Sequence, residues 1–581
     1  MPAWLSLALV FQTPSPFPLP PSPAESTLLV VVATTDVHGR VRGWDYVRDA
    51  EAPGGLARAA TVIETLRARH PDRVVLLDAG DLLQGNPFAH FFATRDRRRP
   101  HPVVDALNAL GGDAATPGNH EFDYGLEFLA RAAGDATFRY VSANITTGAA
   151  GDSLMFAPFV VVPRGGARVG VTGFTTPGVM VWDRALVHGR ARVRPIAEAA
   201  PAALRRLAAA GVDLSVVIIH SGLDGPSSYD TTGTGAENAA ASLAALEPKP
   251  DLVIVGHTHR EIRDSVINGV HFVQPGNWAR TLSVVYVTLI RETTAKGEGG
   301  EGKGGYRKAE VRAELVPLAT VPEHPRFVRR FADAHERTRE WAATPLGVAG
   351  AGFDGALGRV QDTPLLDFIN EVQRRRTGAD LSATPLFDAG AGFPPGEIRV
   401  RDVAGVYPYE NTLRAVRITG AQLKEFLEHA SRYYRTFAPR TPGAPIVDPA
   451  VPGYHFDVVS GIRYTIDLTQ PVGRRIRMTR QGRAIRATDT FTLALNSYRQ
   501  EGGGGYAMLK GAPVVYDRGE NVRDVLVEAI GRAGELRADD YFTASWSIEP
   551  VEARDAARGA ARRRPRRRGA RAGSAPAAGG R

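Results

Sequence analysis

The sequence predicts an α/β sandwich over residues 28–320, followed by a separate α+β domain over residues 346–550. Three observations predict it. Short runs of Val, Leu and Ile, apolar along their whole length, alternate with helical patterns through the first 290 or so residues, as strands do in a sheet covered on both faces. The polar clusters fall just past the C-terminal ends of such runs, where open α/β sheets build their sites. A charged stretch, Glu323–Trp341, then precedes a second set of helices and strands.

The elements follow in order. Leu28–Ala33 reads as a strand ending at Thr34-Thr35-Asp36, and Gly54-Gly55 introduces a helix over Leu56–Arg69. Val74–Leu77 is a strand ending at Asp78-Ala79-Gly80-Asp81, and a helix over Pro102–Leu110 precedes Gly118-Asn119-His120. Strands Leu214–Ile219 and Leu252–Val255 end at His220 and at Gly256-His257. Two more strands, Val284–Ile290 and Tyr306–Val316, flank a Gly-rich loop, Lys296–Gly305. Residues 321–345 form a connector, read as one helix over Glu323–Trp341. The second domain carries helices Pro364–Arg376 and Gly420–Tyr434 and strands Ala415–Ile418 and Phe491–Leu495.

Composition narrows the class. Of 581 residues, 43% are hydrophobic, enough for real cores, yet no 18-residue apolar run predicts a transmembrane span. The formal charge of +9 resides in the tail: Ala553–Arg581 holds ten Arg and one Asp. The rest of the chain is therefore neutral, which argues against a surface that coats nucleic acid. The Arg-rich tail, residues 551–581, is read as disordered, with anionic surfaces as its natural contacts. Cysteine is absent, which excludes disulfides and thiolate zinc sites and fits an oxidising compartment. Residues 1–27 hold a short apolar stretch, Trp4–Phe11, and a Pro-rich segment. They resemble a leader for periplasmic or secreted export, without a basic n-region or a clear cleavage site.

The chemistry lies in seven candidate metal ligands spread over five clusters: Asp36, His38, Asp81, Asn119, His220, His257 and His259. Asp36 and His38 are two apart, so at a strand end both point one way and reach one ion. Asp81, after the flexible Gly80, offers a carboxylate able to bridge two cations. Asn119 supplies a neutral oxygen, His220 and His257 complete a second ion, and His259 returns to the first. Two adjacent divalent cations of this kind activate water against phosphorus. Any one cluster alone reads as a loop accident; the ordered set is the signal. His120 with Asp123, three residues on, forms a candidate acid pair if the segment makes a helical turn.

At this point the chain resembles the calcineurin-like metallophosphoesterases, and within them the 5'-nucleotidase family. The resemblance rests on Gly118-Asn119-His120-Glu121-Phe122-Asp123-Tyr124-Gly125, Gly54-Gly55-Leu56-Ala57-Arg58 and His220-Ser221-Gly222-Leu223. Ala33-Thr34-Thr35-Asp36, Glu237-Asn238 and Pro275-Gly276-Asn277-Trp278 make it most similar to the bacterial 2',3'-cyclic-nucleotide 2'-phosphodiesterase/3'-nucleotidase branch. In the second half, Tyr409-Glu410-Asn411-Thr412-Leu413, Phe456-Asp457-Val458 and Asn496-Ser497-Tyr498-Arg499 extend the match, which covers roughly residues 28–550.

The resemblance implies a four-layer α/β/β/α sandwich and two divalent metal ions, with Mn, Fe, Zn or Co suited to the donor set. It places Asp36, His38, Asp81 and His259 on one metal, and Asp81, Asn119, His220 and His257 on the other. It makes His120 and Asp123 catalytic, and it makes Tyr409, Asn411 and Tyr498 substrate-binding, with the two tyrosines sandwiching a nucleobase. The implied substrate is a nucleotide: a 2',3'-cyclic phosphate opened to a 3'-nucleotide, then a nucleoside plus phosphate. A 5'-nucleotidase or a UDP-sugar diphosphatase is the alternative. A surface binding protein acting through its Arg-rich tail is an alternative of another class. One departure is visible: the turn Phe387-Asp388-Ala389-Gly390-Ala391-Gly392-Phe393 lacks the Arg or Asn that the family often places there.

Overall fold

The computed structural model describes residues 26–148, 153–291, 306–438 and 445–563. Residues 1–25, which hold most of the segment read as a leader, the Gly-rich loop 296–305 and the tail beyond 563 lie outside them.

Two six-stranded sheets organise the first domain. One runs, edge to edge, Tyr306–Pro317, Thr281–Arg291, Ser26–Thr34, Val74–Asp78, Ala114–Ala115 and Arg139–Tyr140. The other runs Ile262–Ile267, Val270–Gln274, Leu252–Val255, Leu214–His220, Ala167–Thr175 and Phe159–Arg164. Their central strands are parallel, with Val30 opposite Val74 and Val216 opposite Leu252. All the strands that carry candidate ligands therefore end on one side.

The unbroken apolar runs have a physical reason. Side chains alternate across a strand, and here both faces are covered. Leu29, Val31 and Ala33 pack with Val216, Ile218 and Val285 between the sheets. Val30 and Val32 point the other way, onto Leu56 and Ile63 of helix Leu56–Arg69 and Val104 of helix Pro102–Ala109. On the far side Val217, Ile219 and Val253 meet Ala203 and Leu204 of helix Ile196–Ala209. The layers are helix, sheet, sheet, helix.

The connector departs from its expected single helix. It forms Pro325–Arg330 and Ala332–Ala342, broken at Phe331, whose φ of −104° and ψ of 12° leave the helical region. Phe327, Phe331 and Ala334 are buried in the first domain's outer core, and the Tyr46 hydroxyl lies 2.9 Å from His335 Nδ1. The segment is thus part of that domain's packing.

In the second domain the strands Asp457–Ser460, Leu381–Pro385, Thr490–Asn496, Thr412–Thr419 and Val514–Asn521 form a sheet. Helix Pro364–Thr377 covers it through Leu365, Phe368 and Ile369 and stops at Gly378, whose φ is 69°. The expected helix Gly420–Tyr434 ends at Ala430 and continues as a 3-10 turn, Ser431–Tyr433. Residues 551–563, read from composition as disordered, instead form a helix with Ala553 and Ala557 buried in the same core. No helix among the described residues is long and apolar enough to cross a membrane.

Removing Ile218 side-chain mass between the sheets leaves a cavity that rigid strands cannot close. Ile218→Ala is expected to destabilise the first domain by about 2–5 kcal/mol, read as a lower urea midpoint of its unfolding transition.

Candidate metal centre

The candidate ligands meet where the two sheets present their C-terminal ends. Ligand atoms of Asp36, His38 and His259 lie within 4.8 Å of one another, and so do those of Asp36, Asp81 and His220. Asp81 Oδ2 is 3.0 Å from His220 Nε2 and 4.0 Å from His38 Nε2. Asp36 Oδ1 is 3.3 Å from His259 Nε2 and 4.0 Å from His220 Nε2. Two carboxylates therefore span the groups, where the sequence pointed to Asp81 alone.

The reason Asp36 and His38 converge differs from the strand-parity argument. The strand stops at Thr34, and Asp36 and His38 have φ of 50° and 49°. Asp81, His257 and His259 are also left-handed, at 56°, 77° and 54°. Such conformations cost about 1–3 kcal/mol each for non-glycine residues and cluster at functional sites. Gly80, with φ of 93°, lets the second turn come close: a Cβ there would lie 2.5 Å from Gly118 N.

Backbone donors fix the carboxylates. His257 N donates to both Asp36 oxygens at 3.2 and 3.1 Å, Thr35 Oγ1 donates to Asp36 Oδ2 at 2.8 Å, and His120 N donates to Asp81 Oδ1 at 2.9 Å. Glu121, fully buried, accepts from the N–H groups of Asp81, Leu82, Leu83 and Gly118, tying the two loops together. Sequence reasoning assigned Glu121 no role.

The imidazoles of His38 and His220 turn Nε2 toward the carboxylates. His38 Nδ1 lies 2.8 Å from the Gln84 carbonyl oxygen and His220 Nδ1 lies 2.8 Å from that of Ala79. A carbonyl only accepts, so each Nδ1 carries a proton and each Nε2 faces the carboxylates. Burial lowers His38 to about 4, so it is neutral, the form that binds a cation. His38 Nε2 faces His259 Nε2 at 3.1 Å.

The carboxylates stay ionised. Burial works to raise Asp36, but the hydrogen bond and charge of His259 outweigh it and hold the group at about 2. Burial likewise opposes ionisation of Asp81, and His220 and His120 overcome it, holding Asp81 well below the usual carboxylate range. Burial opposes a charge on His220, but Asp81 outweighs it and raises the imidazole to about 9, so its charge answers part of the two buried anions. Divalent cations would take over that compensation, and carboxylate oxygens with imidazole nitrogens are a donor set that fits them.

Asn119 and His257 lie beside this group. His257 turns Nδ1 toward Asn119 Oδ1 at 3.0 Å, while its Nε2 lies 2.9 Å from Glu237 Oε1. His120 sits in a 3-10 turn, His120–Phe122, which brings its Nδ1 within 2.9 Å of Asp123 Oδ2. Burial opposes a charge on His120, but the Asp123 and Asp81 carboxylates outweigh it and raise the imidazole well above its ordinary value. At neutral pH it is therefore an imidazolium, able to donate to a departing oxygen.

In the second domain Tyr409 packs edge-on against Phe387, with ring centres 5.0 Å apart. The Asn411 carbonyl accepts the Val522 N–H at 3.0 Å. Tyr498 rests on the glycine run, where a Cβ at Gly503 would lie 2.6 Å from its ring. Arg499 is fully buried on Asp457 at 2.9 Å and on the Tyr454 carbonyl at 2.5 Å, so it holds the Tyr498 loop. Phe387, from the turn that lacks an Arg, instead packs between Tyr407 and Tyr409.

The calcineurin-like phosphoesterase model matches residues 29–261, and the 5'-nucleotidase C-terminal domain model matches residues 342–511. A 2',3'-cyclic-nucleotide 2'-phosphodiesterase/3'-nucleotidase of Haemophilus influenzae is 30% identical over 91% of this chain and 88% of its own. The chain belongs to the 5'-nucleotidase family of metallophosphoesterases. Members of this class hydrolyse phosphoesters, and this chain is a hydrolase of that class. A trifunctional nucleotide phosphoesterase of Bacillus subtilis is 28% identical over 95% of this chain, which spans only 41% of that protein's length. A crystal structure of a candidate 5'-nucleotidase from Staphylococcus aureus superposes with a TM-score of 0.75 at 26% identity, covering 90% of this chain and all of that one. The family's two-domain plan is the one found here.

His120 keeps its proton until pH rises through its raised value. Asp123→Asn removes one of the charges that raise it. The alkaline limb of kcat/KM is expected to move to lower pH, with kcat down by roughly 10²-fold or more. A pH–rate profile of both proteins checks this; an unmoved limb would sink the pairing.

Proposed function

We propose that this chain is an exported nucleotide phosphoesterase that opens 2',3'-cyclic nucleotides to 3'-nucleotides and converts these to nucleosides and phosphate. The observation that carries it is the joined ligand set beside an imidazolium: Asp36 and Asp81 span the groups, and His120 stands on Asp123 at their edge. The residues that would hold the cations are Asp36, His38, Asp81 and His259 for one and Asp81, Asn119, His220 and His257 for the other. A bound pair of divalent cations, Mn, Fe, Zn or Co, supplies Lewis acidity and an activated water.

The chain's own residues do the rest. His120, kept cationic by Asp123, donates to the ribose oxygen as it leaves. Tyr409 and Tyr498 hold the base, a contact worth about 1–3 kcal/mol per base and tolerant of its identity. The likeness to the Haemophilus protein supports the cyclic-nucleotide branch. The Staphylococcus structure supports 5'-nucleotides as the rival substrates. The cysteine-free composition and the apolar, Pro-rich leader support export to the periplasm or beyond.

Initial rates of the metal-reconstituted enzyme and of His120→Ala on 2',3'-cyclic AMP, 3'-AMP, 5'-AMP and UDP-glucose decide the branch. The first two are expected to lead, with chelation abolishing turnover and His120→Ala reducing it by about 10²–10⁴-fold. A lead by 5'-AMP or UDP-glucose would overturn the assignment.

A further inference from the structure

Glu237 has no place in the chemistry above, yet it is nearly buried, at 8% exposure, and both its oxygens are engaged. Oε1 lies 2.9 Å from His257 Nε2. Oε2 accepts the Ser228 N–H at 2.5 Å. Its own N–H donates to Ser227 Oγ at 2.9 Å, and its carbonyl accepts from Ser221 Oγ at 2.6 Å, next to His220. Glu237 thus closes the loop of residues 221–237 into a strap anchored at the candidate metal centre.

The second domain rests on that strap. Gly505 N, in the glycine run after Tyr498, donates to the Ser228 carbonyl at 3.1 Å, and Lys510 Nζ pairs with Asp230 Oδ2 at 2.9 Å. A second route runs through rings. Tyr229 of the strap meets Trp182 at 5.6 Å between centres, and Trp182 stacks on His257 at 5.5 Å with the planes 26° apart. The His257 imidazole is therefore held at one nitrogen by Glu237 and on one face by Trp182, and both holders touch the strap.

We propose that Glu237 is a positioning residue whose carboxylate joins the His257 imidazole to the strap, so that docking of the second domain on Ser228 sets the orientation of His257. A carboxylate on the outer nitrogen of a ligating imidazole fixes its tautomer and makes it a stronger donor, and loss of such partners costs about 10–100-fold in metal affinity or activity. The carboxylate that aims His257 also holds Ser228, on which the second domain rests. The inference rests on the proposed function for its substrate, but not for its metal readout.

The test uses the full chain with Glu237→Gln and Glu237→Ala. Mn²⁺ affinity is measured by titration calorimetry. At saturating Mn²⁺, kcat and KM are measured on 3'-AMP and on p-nitrophenyl phosphate, which has no base for the second domain to grip. Mn²⁺ binding is expected to weaken about 10–100-fold, and kcat/KM to fall further for 3'-AMP than for p-nitrophenyl phosphate. Glu237→Gln preserves side-chain shape, so it carries the test if the alanine variant does not fold. Unchanged Mn²⁺ affinity would overturn the link to His257, and equal losses on the two substrates would overturn the link to the second domain. A wild type that cleaves p-nitrophenyl phosphate but no nucleotide would sink the proposed function, while the Mn²⁺ affinities would still decide the role of Glu237.

Discussion

Two ionised carboxylates, Asp36 and Asp81, lie almost wholly out of water between the ends of two sheets. An unpaired buried charge costs many kcal/mol, so the surroundings must answer it. They do so with backbone N–H groups of His120 and His257, the Thr35 hydroxyl and the imidazoles of His38, His220 and His259. The left-handed backbone at five of the candidate ligands is the conformational cost of bringing these groups to the carboxylates. The four-layer sandwich sustains that cost because each strand feeding the centre is buried on both faces and cannot shift alone.

The first domain gathers these charged groups at the ends of its two sheets. The second supplies Tyr409 and Tyr498, each held by its own packing: Phe387 against one, the glycine run and the Arg499–Asp457 pair behind the other. Where the domains meet, Glu410, the neighbour of Tyr409, accepts from Arg523 at 2.9 Å and lies 3.1 Å from His90 of the first domain. Arg523 and His90 outweigh burial and hold Glu410 at about 2. Buried and paired, it ties the Tyr409 segment of the second domain to the helix Pro87–Thr94.

Much of this was legible in the residues. The apolar runs marked their strands to within three residues at either end, because a strand buried on both faces leaves few polar positions to blur its ends. Where the reading failed, the cause was tertiary. The charged connector concealed Phe327 and Phe331, whose burial in the first domain's outer layer accompanies its break into two helices. The Arg-rich composition after residue 551 concealed Ala553 and Ala557, one helical turn apart and buried together. Asp36 and His38 were paired by strand parity, yet they converge through left-handed turns beyond the strand.

The sequence by itself determined the layered class, the order of the polar clusters and the ligand types, because periodicity and residue chemistry are local properties. Only the tertiary structure decided that Asp36 shares the spanning position with Asp81, that His257 presents Nδ1 while Glu237 holds its other nitrogen, and that Glu121 laces the loops at 81 and 118. Each of these depends on where a backbone N–H or a ring nitrogen from a distant segment comes to point. That direction is fixed by the packing of whole sheets, and no spacing along the chain encodes it.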